Sequence, residues 1–209
     1  MSDLVDAAKK TLLDNRRSGY TLPTNNKLYP AQWNWDSAFI SLGYSYFNLD
    51  YAIEELETLL KGQWDDGMVP HILFHEADDS YFPNHITWSC GKEVPSSGIT
   101  QPPIAASILN IIVKNNQLNK IQNEKVFNLV CKLKKYHEWF FKNRDKNKSG
   151  LVSIIHPWES GYDNSPLWDF ALSKITIDQN LSYERRDLKV SNSDERPLNN
   201  DYDCYITLL

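Results

Sequence analysis

The sequence predicts a mainly α-helical chain whose helices are joined by long, aromatic-rich connections. Three observations carry this. Apolar residues recur at helical spacing over several segments, strand-like alternation is nearly absent, and aromatic residues cluster in the connections. With 41% hydrophobic residues the chain can bury a real core, and a charged share of 23% is that of an ordinary globular protein.

Taken in order, Leu4, Ala7, Ala8, Leu12 and Leu13 form one face of a helix over residues 2–17. Asp36 is placed to cap a helix from Ser37 to Phe47. Asp50 is placed to cap another from Tyr51 to Lys61, with Ile53, Leu56, Leu59 and Leu60 on one side. Residues 68–74, MVPHILF, read as a short extended piece. The connection from Gln63 to Thr100 is long for a compact domain, and its aromatic content argues against disorder. Gln101-Pro102-Pro103 opens a helix through Ile112, with prolines where a first turn tolerates them. The longest helical pattern spans 122–142, and a shorter one runs from Leu167 to Ile175. Asp201 or Asp203 starts a last helix that is still running at Leu209, with neither cap nor tail. Residues 1–209 therefore read as the N-terminal part of a single domain in a longer protein.

Several function classes lose support. A net charge of −5 argues against nonspecific nucleic-acid binding, which needs basic surface. No apolar run approaches the ~20 residues that span a bilayer, and MSDLVDAAKK lacks a signal-peptide core, so a cytoplasmic location is the default. The three cysteines, at 90, 131 and 204, are scattered and odd in number, and read as buried, unpaired thiols. No glycine-rich phosphate loop, HExxH or GxSxG string occurs, so neither cofactor nor metal is expected. Asp145 to Gly150 resembles the start of a calcium loop, but the closing glutamate is missing, with His156 in its place; a plain turn is expected.

Four constellations can carry chemistry. The first, Tyr29 to Asp36, packs aromatics, two amides and a carboxylate before a helix, and Asp36 suits a helix cap as well as a ligand. The second joins Gly67-Met68-Val69-Pro70-His71 to Tyr81. A lone histidine such as His71 is more often structural, and Tyr81 can either reach a ligand or pin its loop. The third is Gln101 before its two prolines, a cap or a ligand contact. The fourth and richest, His156 to Asp169, sets Glu159, Asp163 and Asp169 between Trp158 and Trp168. Aromatics make up 12% of the chain, with 7 Trp and 11 Tyr. Their flat faces suit the C–H faces of sugar rings, and carboxylates and amides suit the hydroxyl rims. Glycosidic cleavage needs a carboxylic acid of raised pKa to protonate the leaving oxygen. On composition all three carboxylates qualify, although Asp169, about one residue into its helix, also suits the helix dipole.

The strings YPAQWNWDSAF, GMVPHI, TQPP and HPWESGYDNSPLWD occur in that order. Together they resemble glycoside hydrolase family 63, in its mannosylglycerate and glucosylglycerate hydrolase-like branch. The last string is also similar to the ESGWD segment of trehalases, which share the fold. The resemblance covers about residues 20–209. It implies an (α/α)6 toroid, here roughly the first half, with inversion at the anomeric carbon and a small carbohydrate as substrate. It implies Asp163 as the general acid, and as general base a later glutamate that no position here matches. It implies that Tyr29, Trp33, Trp35, Asp36, Tyr81 and Gln101 line sugar and glycerate subsites. Trp158 and Gly161 would border the sugar at the cleavage point, with Arg196 near it. Two departures stand out. An inverting enzyme sets two carboxyl groups roughly 6.5–9.5 Å apart around a water, which half a toroid does not supply. Leu167 also stands where the family usually has arginine, which removes an ion pair near the acid. The expected function is an inverting α-glycosidase for mannosylglycerate or glucosylglycerate. The alternatives are a trehalase-like or α-glucan-trimming glucosidase on the same fold, or a non-catalytic sugar-binding helical protein.

Overall fold

The structure, a computed structural model, describes residues 2–24 and 28–209. Helix α1, Ser2–Asn15, is mostly exposed. Of its expected apolar face, Leu12 packs on the core while Leu4 and Leu13 stay in solvent. It ends at Asn15, not at residue 17. The Arg17 amide turns back to Tyr20 O at 2.7 Å, and Gly19 supplies the positive φ of 84° that this reversal needs.

Helix α2, Asn34–Ser45, begins earlier than the Asp36 cap predicts, and Asp36 lies inside its first turn. Distant groups satisfy the first amides instead. The Asn34 amide donates to His71 O at 3.0 Å, and the Trp35 amide to Gln101 Oε1 at 3.2 Å. Helix α3, Leu49–Leu59, is capped by Asn48, whose Oδ1 accepts from the Tyr51 amide at 3.1 Å. Asp50 is therefore no cap, and it accepts from Gln122 Nε2 at 2.8 Å.

The long connection folds into a small extended unit. Strand β1, Gln32–Trp33, pairs antiparallel with β2, Ile72–Leu73, so the expected extended piece at 68–74 becomes a two-stranded clasp. A one-turn helix α4, His85–Trp88, follows. Helix α5, Ala105–Asn115, starts after the two prolines, and α6, Lys120–Arg144, opens on a capping box between Asn119 and Gln122. The core lies among α2, α3, α5 and α6, with α2 packed against both α3 and α5 and α6 behind α3.

The C-terminal part is looser. Helices α7, Asp169–Leu172, and α8, Asp187–Val190, are single turns, and α9 spans Asn199–Thr207. Helix α9 starts just after Pro197-Leu198, so neither Asp201 nor Asp203 caps it. Its Tyr202 and Tyr205 turn inward onto Trp158. Asp145 closes an ordinary turn, accepting the Ser149 and Gly150 amides at 2.8 Å each. The cysteines are not uniformly buried, since Cys131 is exposed on α6 and Cys90 partly so; Cys204 alone is buried.

Below the clasp, Glu55 on α3 is wholly buried at 0% exposure. Its Oε1 accepts from Ser37 Oγ at 2.7 Å and Gln32 Nε2 at 3.0 Å, and Gln32 Oε1 lies 2.7 Å from His75 Nε2. Burial pushes the Glu55 carboxyl from 4.5 up to about 7, against the pull of the Ser37 hydroxyl. A raised folded-state pKa means that the neutral carboxyl's contribution is complete below about pH 4.5. It drains away as pH rises through about 7, a difference on the order of 3 kcal/mol. Thermal melts of the wild type and Glu55→Gln from pH 4.5 to 8 are expected to diverge with pH. The wild type should lose ground on the alkaline side. Parallel curves would show that Glu55 does not titrate in this window.

Candidate active site

The clasp and the α2 start build one wall of a cavity. Trp33 stands edge-on to Tyr29 and Tyr81, with ring centroids 5.0 and 5.9 Å away. Asn34 anchors this turn, its Nδ2 donating to Val69 O, Pro70 O and the Tyr136 hydroxyl, each at 3.2 Å. Gln101, held by the Trp35 amide, closes the corner where α2 meets the segment leading to α5. Asp36 faces the cavity from the first turn of α2, and burial pushes its carboxyl up to about 6.

The segment from His156 to Asp163 forms the opposite wall. His156 Nδ1 accepts the Trp158 amide at 3.1 Å, starting a 3-10 turn over Pro157–Ser160 that ends at Gly161. Gly161 has φ 65°, and a Cβ there would sit 2.7 Å from the Trp35 ring. Only glycine fits both the backbone and the approach. The Asp163 carbonyl accepts from the Tyr205 hydroxyl at 2.8 Å, so α9 pins the backbone of this residue. Burial raises the pKa of the Asp163 carboxyl, opposed by its own backbone amide and the Arg196 cation. Arg196 donates to Asp187 Oδ2 at 3.0 Å and to the Tyr29 hydroxyl at 3.3 Å, tying the first wall to the start of α8. Arg185 donates to the same Oδ2 from Nη2 at 2.7 Å and to Oδ1 from Nε at 3.1 Å.

All ten residues named from the sequence line this one cavity of about 230 Å³: Tyr29, Trp33, Trp35, Asp36, Tyr81, Gln101, Trp158, Gly161, Asp163 and Arg196. The structure adds His71, Ile72, Pro83, Pro197 and Tyr202. His71 sits within the GMVPHI string, but a lone histidine there carries no sign of which way it faces. Tyr202 gave no sequence signal beyond its aromatic character.

The three carboxylates of the His156–Asp169 segment separate. Glu159 is buried and turned away from the cavity. Its Oε1 accepts from Arg144 Nη2 at 2.7 Å and the Thr100 amide at 3.3 Å, and its Oε2 from the Ile155 amide at 3.1 Å. Asp169 is exposed at the first position of α7. Asp163 is the one of the three that opens onto the cavity. Leu167 is 87% exposed and makes no wall of it. Among the described residues, no group of three or more His, Cys, Asp or Glu is placed to hold a metal ion. No described helix is long and apolar enough to cross a membrane.

A family model, the mannosylglycerate hydrolase MGH1-like glycoside hydrolase domain, matches residues 29–209. Mannosylglycerate hydrolase MGH2 of Selaginella moellendorffii is 45% identical over 206 residues, covering 98% of this chain and 42% of that protein. Mannosylglycerate hydrolase of Thermus thermophilus is 44% identical over 207 residues, covering 97% of this chain and 49% of that protein. The crystal structure of a GH63 mannosylglycerate hydrolase from Thermus thermophilus, in complex with Tris and D-glycerate, matches with a TM-score of 0.92 at 43% identity. It covers 98% of this chain and 49% of that one. The chain thus has a helical toroid fold and spans about half the length of the curated relatives it matches.

Proposed function

Because this chain belongs to the MGH1-like glycoside hydrolase domain family of GH63, we propose that it is the acid-bearing half of an inverting α-glycosidase acting on mannosylglycerate or glucosylglycerate. The carrying observation is that Asp163, with its raised pKa, opens onto a cavity walled by Trp33, Trp35 and Trp158. In this reading the sugar packs against the tryptophans, and Asp36 and Arg196 bind its hydroxyls. Tyr29, Tyr81 and Gln101 take the glycerate. Asp163 gives its proton to the glycosidic oxygen as the bond to the anomeric carbon breaks. A water attacks that carbon from the opposite face, deprotonated by a carboxylate that the remaining half of the toroid supplies. Residues 1–209 are then the N-terminal part of that one domain, in a cytoplasmic enzyme.

The surface supports the division. Ala106, Leu109 and Val113 of α5 face Val126, Val130 and Phe141 of α6 across an open groove of about 570 Å³. Apolar surface of this kind marks a face built to be covered, as the next helices of a closed toroid would cover it. The 209-residue chain alone is expected to show no appreciable hydrolysis of mannosylglycerate or glucosylglycerate. The chain joined to the second half of its toroid should release glycerate, with the sugar first appearing as the inverted anomer by NMR. Turnover by the 209-residue chain at the rate of full-length relatives would overturn the reading.

A further inference from the structure

His71 enters the clasp at the start of β2, its amide donating to Ile99 O at 2.8 Å and its carbonyl accepting from Asn34 at 3.0 Å. Its ring is wedged among tryptophans. It stacks on Trp158 at 6.0 Å and 24°, and meets Trp33 and Trp88 edge-on at 6.4 and 6.3 Å. Nδ1 lies 3.3 Å from Ser97 Oγ. The Ser97 hydroxyl is equally far, 3.3 Å, from Ile99 O, and its oxygen also accepts from the Ile72 amide at 3.0 Å. Its one proton can turn to Ile99 O or to Nδ1, so Nδ1 is partnered whichever tautomer the ring takes.

The other ring nitrogen is left to bond a ligand. Nε2 has no partner among the described residues, and His71 lines the cavity. Burial, with His156 adding to it, pulls the pKa of His71 down to about 3, so the ring stays neutral. Arg196 carries a cation at this cavity and Asp36 and Asp163 carry carboxyls. His71 instead offers an uncharged ring nitrogen, held by packing on three sides.

We propose that His71 is a specificity-determining residue, its Nε2 forming a hydrogen bond with one hydroxyl of the sugar ring bound against Trp158. This rests on the cavity being the sugar site. A hydroxyl can both donate and accept, so it suits either tautomer, whereas a ligand with hydrogen at that position would leave Nε2 buried and unpaired.

The test uses the complete enzyme and a set of monodeoxy analogues of the mannosyl or glucosyl unit. In the wild type, one deoxy position is expected to lower kcat/KM by about 10-fold. His71→Phe keeps an aromatic ring but removes the ring nitrogens. It should lose a similar factor on the parent substrate and show no further loss with that one analogue. His71→Gln, which retains an acceptor, should recover part of the rate and the selectivity, and it carries the same cycle if the phenylalanine variant does not fold. Variants that lose rate equally on every analogue would show a purely structural role and overturn the proposal. A wild-type enzyme that cleaves neither glycoside would instead overturn the functional reading, and this assignment with it.

Discussion

Asp163→Asn in the complete protein is expected to lower turnover by about 10²–10⁴-fold while leaving sugar binding nearly unchanged. The amide matches the carboxyl in shape and can still hydrogen-bond, but it has no proton to give the leaving oxygen. Its backbone should not move, because the Tyr205 hydroxyl holds the carbonyl at 2.8 Å whatever the side chain. A glycerate hydroxyl is a poor leaving group, which places the effect towards the upper end. The pH profile follows from the raised carboxyl. Wild-type activity should fall on the alkaline side as Asp163 loses its proton, and the residual activity of the asparagine variant should lack that limb. Asp169→Asn, in a residue exposed at a helix start, should cost least. Kinetics with the natural substrate, alongside binding by calorimetry, would decide. Near-normal turnover in Asp163→Asn would mean that the acid is a different carboxyl.

Arg144→Ala is expected to destabilise the chain by about 3–5 kcal/mol, because it strands a buried charge. The Arg144 and Glu159 side chains are 12% and 3% exposed. Glu159 ties three pieces together: the end of α6 through Arg144, the Thr100 amide that precedes Gln101, and the Ile155 amide that precedes the 3-10 turn. The Arg144 guanidinium also lies over the Trp139 ring, 4.6 Å from its centroid. Losing the cation leaves Glu159 with two amide donors and no compensating charge. Replacing both partners, as Arg144→Met with Glu159→Leu, should be milder than Arg144→Ala alone, since no uncompensated charge remains. Denaturant unfolding of the two variants and the wild type measures this. Equal midpoints for Arg144→Ala and wild type would show that the pair carries no stability. In the complete enzyme, Glu159→Gln should act mainly through a loosened loop and lose less turnover than Asp163→Asn.

The helical pattern is legible from residues alone where it is long and periodic, as at 122–142, within the helix Lys120–Arg144. There, one amphipathic stripe and one capping box act within a few residues of each other. The start of α2 is not, because local rules assign Asp36 as a cap while the actual acceptors, His71 O and Gln101 Oε1, come from distant segments. The end of α1 and the start of α9 also depart from the local pattern, since a backbone reversal at Gly19 and the Pro197-Leu198 entry set them.

The sequence by itself determined which residue types gather into candidate sites, and its resemblance to a known family named ten positions that line one cavity in the structure. Composition did not rank Glu159, Asp163 and Asp169, and only the family resemblance pointed to Asp163. The tertiary structure gives them different surroundings, by burying Glu159 against Arg144, leaving Asp169 in water and placing Asp163 on the wall of the cavity that the tryptophans also line. The same holds for His71, whose role depends on which ring nitrogen Ser97 occupies. The physical reason is that protonation and hydrogen-bond direction are set by burial and by partners distant in sequence, and linear spacing does not encode either.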